Sequence, residues 1–156
     1  MSSNKNYVEH SENNCPDLKQ FKLDTVYLRM AQVWASNSYS KRSQVGCLVV
    51  KDKTIISDGY NGTPTGFSNI CEDDTNQTLP SVLHAEANAI TKLAMNTVSS
   101  NGSTMYVTLS PCFDCSKLII QSGIKRMVFS ELYRKTDSLD LLNQAGIEII
   151  YINLQP

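Results

Sequence analysis

The spacing of apolar positions changes along the chain between helix-like and strand-like patterns. Residues 21–36 carry apolar side chains three and four positions apart, which predicts an amphipathic helix with Trp34 on its buried face. The apolar run 45–50 and the β-branched run 54–57 flank a polar Lys-Asp-Lys stretch, and this arrangement predicts a tight hairpin. We therefore expect the folded region to begin with a helix and a hairpin.

The second half of the chain alternates helices with strands. Helices are predicted over 84–95, 112–121 and 138–144, and strands over 105–109, 124–129 and 147–152. Ser81 is the expected cap of the first of these helices, and Ser110 and Pro111 are the expected cap and first position of the second. Strands that alternate with helices pair in parallel, so we predict a three-layer α/β/α sandwich on a mixed sheet of about five strands.

Two polar segments interrupt these elements. Residues 1–19 are rich in Asn, Ser, Lys and Glu, so we expect a flexible arm ahead of a single domain over 20–156. Residues 59–66, GYNGTPTG, contain three glycines and a proline, and this composition predicts a loop without regular structure.

Composition narrows the classes of function. A length of 156 residues is typical of one domain. The chain has 14 Lys and Arg residues and 15 Asp and Glu residues, so it has no overall positive charge that would attract nucleic acid or an anionic membrane. The sequence shows no bilayer-spanning run and no secretion signal, so we expect a cytoplasmic location, or the host cytoplasm for a viral source. Five cysteines, an odd number, then indicate free thiols or metal ligands.

Two short motifs indicate a metal site. His-Ala-Glu at 84–86 starts one predicted helix, and Pro-Cys-Phe-Asp-Cys at 111–115 starts another. Cys112 and Cys115 fall on one side of a first helical turn, where we expect the helix N-terminus to lower the pKa of both thiols. With His84 they offer one nitrogen and two sulfurs, a set that suits tetrahedral Zn²⁺. We find no fourth ligand at obvious spacing, and an open position is typical of catalytic zinc.

Glu86 is the predicted catalytic residue of this site. Two positions beyond His84, it can take a proton from a metal-bound water and pass it to a departing amine. A Cys-x-x-Cys motif alone also occurs in structural zinc sites and redox pairs. The upstream His-x-Glu favours the zinc-deaminase signature, in which His-x-Glu precedes Pro-Cys-x-x-Cys.

These motifs carry a family resemblance. The segments HAEANAI and TMYVTLSPCFDCSKLIIQSGIKRMVF resemble the zinc-dependent cytidine deaminase superfamily, and SQVGCLVV with SDGYNGTPTGF is similar to its deoxycytidylate deaminases. The resemblance covers about residues 28–152 and implies a cytidine-deaminase-like fold. It implies hydrolysis of dCMP to dUMP and ammonia, which supplies dUMP for thymidylate synthesis. It assigns one catalytic Zn²⁺ per chain to His84, Cys112 and Cys115, and proton transfer to Glu86.

The resemblance also places substrate contacts in the GYNG segment and near the end of the fourth strand. Asn61 is then a ligand for the base or a sugar hydroxyl, since its amide both donates and accepts. Ser110 would offer its carbonyl to the leaving amine, and Tyr133 would contact the base or sugar. Asn61 is equally a residue type that tolerates positive φ in a turn, and Tyr133 could instead be a packing aromatic.

Regulation and assembly are further implications of the resemblance. It implies activation by dCTP and inhibition by dTTP, bound near the GYNG segment between subunits of a homo-oligomer, often a hexamer. The residues expected to hold an effector or a phosphate are Lys41, Arg42, Gly59, Tyr60 and Gly62. A solvated basic pair is the alternative for the first two. Some relatives carry a phosphate-binding arginine near the end of the HAE helix, where this chain has Lys92 and Met95.

Three alternatives stay open. His10, Cys15 and Cys71 could form a second zinc site, although their spacing matches no standard pattern. Deamination of a base within nucleic acid would need a basic surface that the composition does not supply. A non-catalytic zinc module would not need the carboxylate of Glu86.

Overall fold

The computed structural model describes residues 5–154 and contains a six-stranded mixed sheet with helices on both faces. In chain order the elements are β1 (Val8–Glu9), α1 (Leu18–Ala35), β2 (Gly46–Lys51), β3 (Thr54–Tyr60), α2 (Ala85–Leu93), β4 (Thr104–Leu109), α3 (Phe113–Gln121), β5 (Arg126–Glu131), α4 (Asp137–Gln144) and β6 (Glu148–Tyr151). The strand order is β1-β6-β5-β4-β2-β3. The four strands β1, β6, β5 and β4 are parallel, and β2 is antiparallel to both neighbours. This confirms the predicted α/β/α fold, with one strand more than expected.

Each face of the sheet has its own apolar core. Helix α1 covers one face, where Leu28 and Ala31 pack with Leu48, Tyr106 and Val128. Helices α2, α3 and α4 cover the other face through a larger cluster of buried residues. Among residues 5–154, no helix combines the length and the apolar character needed to cross a membrane.

The orientation of α1 corrects the prediction for Trp34. The helix buries Asp24, Leu28, Ala31 and Ala35, which are spaced three or four positions apart along one face. Trp34 points about 100° away from Ala35 around the helix axis, because an α-helix has about 3.6 residues per turn. Trp34 is 37% exposed, and its indole nitrogen donates to Asp58 Oδ1 at 3.0 Å.

The N-terminal segment is more regular than predicted. Residues 1–4 lie outside the described residues, but Val8 pairs with Ile150 of β6 and forms the sixth strand. Tyr7 anchors this strand by edge-on contacts with Phe129 and Tyr151 at ring-centroid distances of 5.7 and 5.6 Å. The expected flexible arm is therefore wrong for residues 8–9, because β6 offers an unpaired edge that a short strand can extend. It is also wrong for residues 18–19, which belong to α1.

The hairpin between β2 and β3 forms where the sequence predicted it. Asp52 and Lys53 both have positive φ, 49° and 61°, as a two-residue type I′ turn requires. Strand β3 continues to Tyr60, so the predicted loop over 59–66 is wrong for its first two residues.

Gly59 lies in β3 because α2 packs directly against it. A Cβ atom at Gly59 would stand 2.2 Å from the carbonyl oxygen of Ala85. Gly46 plays the same part on the other face, where a Cβ would stand 2.0 Å from the carbonyl oxygen of Ala31. The two glycines let one helix approach each face of the hairpin.

Candidate active site

Two helix N-termini carry the predicted metal ligands. His84 is the N-cap of α2 and Cys112 is the N-cap of α3, with extended backbone at both positions. The Cys112 sulfur accepts from the backbone N–H of Cys115 at 3.5 Å, so a cysteine performs the capping. The caps predicted at Ser81 and Ser110 are wrong.

Other contacts explain why these two serines do not cap. Ser81 lies within the turn that Val82 N–H closes by donating to Leu79 C=O at 3.0 Å, so it stands ahead of the helix, which begins at Ala85. The Ser110 hydroxyl accepts from the backbone N–H of Tyr133 at 2.7 Å and is directed toward the neighbouring loop. Pro111 precedes the first helical residue, Phe113, by two positions.

The three ligand atoms have the spacing of a tetrahedral zinc site. His84 Nδ1 lies 3.4 Å from the sulfur of Cys112 and 3.4 Å from that of Cys115, and all three atoms lie within 4.8 Å of one another. Zinc bonds of roughly 2.3 Å to sulfur and 2.05 Å to nitrogen, at a tetrahedral angle, place nitrogen and sulfur about 3.6 Å apart. The residues therefore fit Zn²⁺, with Nδ1 as the ring nitrogen that faces it.

Within residues 5–154, this is the only cluster of three or more His, Cys, Asp or Glu side chains whose ligand atoms lie close enough together to bind a metal ion. His10, Cys15 and Cys71 all belong to that part of the chain, and they do not come together as a second site.

The two thiols differ in their titration. A hydrogen bond with Cys115 lowers the pKa of Cys112 to about 4, and a hydrogen bond with His84 acts in the same direction. The same bond to Cys112, followed by burial, raises the pKa of Cys115. Cys115 is buried, whereas Cys112 is partly exposed. The hydrogen bond to Cys112 also raises the pKa of His84.

Glu86 lies in the first turn of α2 and is 4% exposed. Burial raises the pKa of its carboxyl to about 7. A carboxyl group with a pKa near neutrality can both accept and release a proton at neutral pH, as acid–base catalysis requires. This acidity suits the proton-transfer role predicted for Glu86.

A cavity of about 510 Å³ opens beside these residues, a size in the range of small-molecule sites. Its walls include His84, Glu86 and Cys112 from the metal centre. Four further residues that the sequence predicts for the site also line it: Arg42, Asn61, Ser110 and Tyr133. Arg134, which the sequence did not predict, lines it as well. All three predicted substrate residues therefore line one cavity with two of the metal ligands, His84 and Cys112.

Asn61 holds the backbone at the mouth of this cavity. Its side-chain oxygen accepts from Val45 N–H at 2.8 Å, and its amide nitrogen donates to Ser43 C=O at 2.8 Å. The positive φ that a turn could have required is not found at Asn61. The residue thus joins the segment after β3 to the start of β2.

Ser110 and Tyr133 lie together where the chain leaves β4 and β5. Ser110 is buried, and its N–H donates to Glu131 C=O at 2.8 Å. The guanidinium of Arg134 lies 5.7 Å from the centre of the Tyr133 ring, a cation–π distance. Tyr133 therefore contributes an aromatic ring to the cavity wall.

The predicted effector residues divide into two groups. Of these five, Arg42 lines the cavity, whereas Lys41, Gly59, Tyr60 and Gly62 are not among its lining residues. Gly59 is buried against α2, Tyr60 packs edge-on against Trp34 at 6.5 Å, and Gly62 forms a bridge with Leu83.

Sequence reasoning missed Arg134. The available signal was a basic pair, Arg134 and Lys135, directly after Tyr133 in the segment that follows a predicted strand. Two arginines, Arg42 and Arg134, therefore reach a cavity whose metal end is formed by thiol, imidazole and carboxyl groups.

Known proteins resemble this chain in sequence and in structure. A family model for the cytidine and deoxycytidylate deaminase zinc-binding region matches residues 22–131. Deoxycytidylate deaminase of Saccharomyces cerevisiae is 32% identical over 91% of this chain and 48% of its own length, and that of Enterobacteria phage T4 is 34% identical over 84% and 90%. The chain thus spans about half of the yeast protein.

A solved structure shares both the fold and much of the sequence. The dCMP deaminase of cyanophage S-TIM5, determined in complex with dCMP and dUMP, has a TM-score of 0.80 and 42% sequence identity. The match covers 88% of this chain and 98% of the cyanophage chain. With the family model matched over most of the chain, these similarities show that the chain belongs to the cytidine and deoxycytidylate deaminase family.

Proposed function

We propose that the protein hydrolyses dCMP to dUMP and ammonia with one zinc ion per chain. The observation that carries this proposal is a single cavity lined by His84 and Cys112 of the ligand set, by Glu86 and by two arginines. The 42% identity to a cyanophage dCMP deaminase over nearly all of that chain supports dCMP as the substrate.

The metal end of the cavity would perform the chemistry. Zn²⁺, when bound, supplies Lewis-acid activation of a water molecule. Glu86 would transfer both protons of that water in turn, the first to the ring nitrogen N3 of the cytosine and the second to the amino group, which departs as ammonia. The carboxyl suits both transfers because burial raises its pKa to about 7.

The neutral part of the nucleotide would lie against the middle of the cavity. The Ser110 carbonyl would accept a hydrogen bond from the amino group of the cytosine, and the Tyr133 ring would contact the base or the sugar. The Asn61 amide is already bonded to backbone at both ends, so we assign it the role of shaping the wall that the sugar meets.

The phosphate would bind at the opposite end, near Arg42 and Arg134. Guanidinium groups suit phosphate because their planar N–H donors match its oxygens in pairs. The sequence left the phosphate ligand open, because Lys92 and Met95 stand where some relatives have an arginine. We assign the phosphate to Arg42 and Arg134, which extends the predicted role of Arg42 to the substrate.

Regulation and assembly are part of the same proposal. We propose that dCTP activates and dTTP inhibits a homohexamer in the cytoplasm. Exposed apolar side chains on α1, including Met30 at 42% and Val33 at 71%, support a subunit interface on that helix. Sedimentation of the purified protein with and without each nucleotide, together with dCMP kinetics, tests both points.

Comparison of dCMP with deoxycytidine tests the substrate assignment. Zinc-loaded wild-type protein is expected to deaminate dCMP, with much lower kcat/KM for deoxycytidine, which lacks the phosphate. Arg42→Ala and Arg134→Ala should each raise the KM for dCMP by about ten- to a hundredfold, the range for one charge-assisted hydrogen bond, and leave deoxycytidine kinetics unchanged. Equal activity on both substrates would contradict the phosphate-binding role.

A further inference from the structure

The segment 71–79 folds into a short hairpin beside the cavity. Glu72 and Thr78 form an antiparallel bridge, and Asp73 N–H donates to Gln77 C=O at 2.9 Å. Asp73 Oδ1 accepts from Gln77 N–H at 2.9 Å and closes the turn. This hairpin, which we call the 71–79 hairpin, presents Glu72 and Thr78 on neighbouring strands.

Glu72 binds the segment that carries Arg42. One carboxylate oxygen, Oε1, accepts from the Ser40 hydroxyl at 2.7 Å, from Lys41 N–H at 2.9 Å and from Arg42 N–H at 3.2 Å. The second contact is to the arginine side chain, because Arg42 Nη1 donates to the Thr78 hydroxyl at 3.4 Å. The 71–79 hairpin therefore holds Arg42 at its backbone and at its guanidinium.

These contacts belong to the cavity wall. Ser40, Arg42 and Thr78 all line the cavity. Glu72 does not line it but is hydrogen-bonded to Ser40 and Arg42 and paired with Thr78 in the bridge. Arg42 is otherwise exposed, and a long exposed side chain loses considerable rotamer freedom when it binds a ligand. Holding the arginine in place beforehand reduces that loss.

We propose that Glu72 is a positioning residue that orients Arg42 toward the substrate phosphate, with Thr78 as the second support. This inference rests on the proposed function, because it deepens the role given there to Arg42. Glu72 does not touch the substrate and acts through the arginine.

Kinetics on two substrates test the proposal. Glu72→Ala should raise the KM for dCMP about fivefold without changing kcat, and it should leave deoxycytidine kinetics unchanged. Glu72→Gln keeps an acceptor oxygen and should restore much of the loss, and Thr78→Val should raise the KM for dCMP by a smaller factor. Asp74→Ala, an exposed change in the same hairpin, is the matched control and should behave like wild type.

A double-mutant cycle separates positioning from general damage. In an Arg42→Ala background, Glu72→Ala should have no further effect on the KM for dCMP. The proposal is overturned if Glu72→Ala raises the KM by the same factor with and without Arg42, or if it changes dCMP and deoxycytidine kinetics equally. Thermal unfolding shows whether each variant folds. If Glu72→Ala does not fold, the double-mutant cycle is measured with Thr78→Val in its place.

Hydrogen exchange keeps this test separate from that of the proposed function. If wild-type protein does not deaminate dCMP, the proposed function fails, and amide exchange at Lys41 and Arg42 decides the inference on its own. Both amides donate to Glu72, so their exchange should quicken in Glu72→Ala and stay unchanged in Asp74→Ala. Unchanged exchange in Glu72→Ala would overturn the positioning role.

Discussion

At the residue scale, the metal centre consists of three ligand side chains and one carboxyl group, which differ in burial and in hydrogen bonding. Glu86 is buried, and burial raises its pKa to about 7, whereas hydrogen bonds lower that of Cys112 to about 4. Glu86 is therefore suited to proton transfer at neutral pH, and Cys112, as a thiolate, is suited to binding a cation. Glu86 stands outside the group with ligand spacing, which consists of His84, Cys112 and Cys115.

The role of Glu86 leads to a first prediction. Glu86→Gln removes the group that transfers protons but keeps its size, so kcat for dCMP should fall by about 10²–10⁴-fold. Zinc content, measured by atomic emission, should remain one ion per chain. A Gln variant with wild-type kcat would contradict the proton-transfer role, and loss of zinc would show that Glu86 serves the metal instead.

The ligand set leads to a second prediction. Cys112→Ala should purify with little zinc and no deaminase activity, because three protein ligands are required to hold the ion. Its melting temperature should also become insensitive to added zinc, since a ligand stabilises the folded state only when it binds that state. Cys15→Ala is the matched control and should retain metal, activity and zinc-dependent melting.

At the element scale, the centre depends on how closely α2 and α3 approach the sheet. Helix α2 places His84 at its N-terminus and rests on Gly59 of β3, where no Cβ can be accommodated. Helix α3 has Cys112 as its N-cap and follows β4 after three residues. The separation of the ligands is therefore set by helix packing.

Substitution of Gly59 tests this dependence. Gly59→Ala places a methyl group against the backbone of α2, so the free energy of unfolding should fall by roughly 1–3 kcal/mol, as in overpacked cores. Zinc affinity should fall with it, because His84 moves with the helix. Gly62→Ala is the control: its nearest neighbour to an added Cβ is a Tyr60 ring atom at 3.9 Å, so stability should be unchanged. Equal urea midpoints for both variants would contradict this account.

Element types could be predicted from the sequence more securely than element ends. The hairpin turn at Asp52 and Lys53 and the strand–helix alternation follow from local patterns, and both are confirmed. Strand β1 could not be predicted, because its pairing depends on the distant edge of β6. The caps were also wrong, since Ser110 uses its hydroxyl on Tyr133, a contact between segments that lie far apart in sequence.

At the scale of the whole molecule, the cavity forms where segments from both halves of the chain meet. The metal ligands and Glu86 could be found from sequence because the chemistry demands specific residue types at short spacing. Arg134 and the Glu72 contact to Arg42 could not, because exposed charges are common and only the fold shows which ones reach the cavity.

A buried ion pair anchors α1 to the sheet, on the face away from α2, α3 and α4. Asp24 of α1 is fully buried, accepts from the Tyr106 hydroxyl and binds the Arg126 guanidinium through both oxygens at 2.9 and 2.6 Å. Removing one partner of such a pair is strongly destabilising, because the other charge stays buried. The network joins α1 to β4 and β5 and so fixes the sheet that carries the cavity.

Zinc-dependent turnover of dCMP tests the central claim most directly. The protein is stripped of metal with a chelator, and dUMP and ammonia are then quantified after incubation with dCMP, before and after one equivalent of Zn²⁺ is added. We predict no dUMP from the stripped protein, and equal amounts of dUMP and ammonia once zinc is restored. Full dCMP turnover by protein shown to be free of metal, or none by protein shown to hold one zinc per chain, would contradict the account.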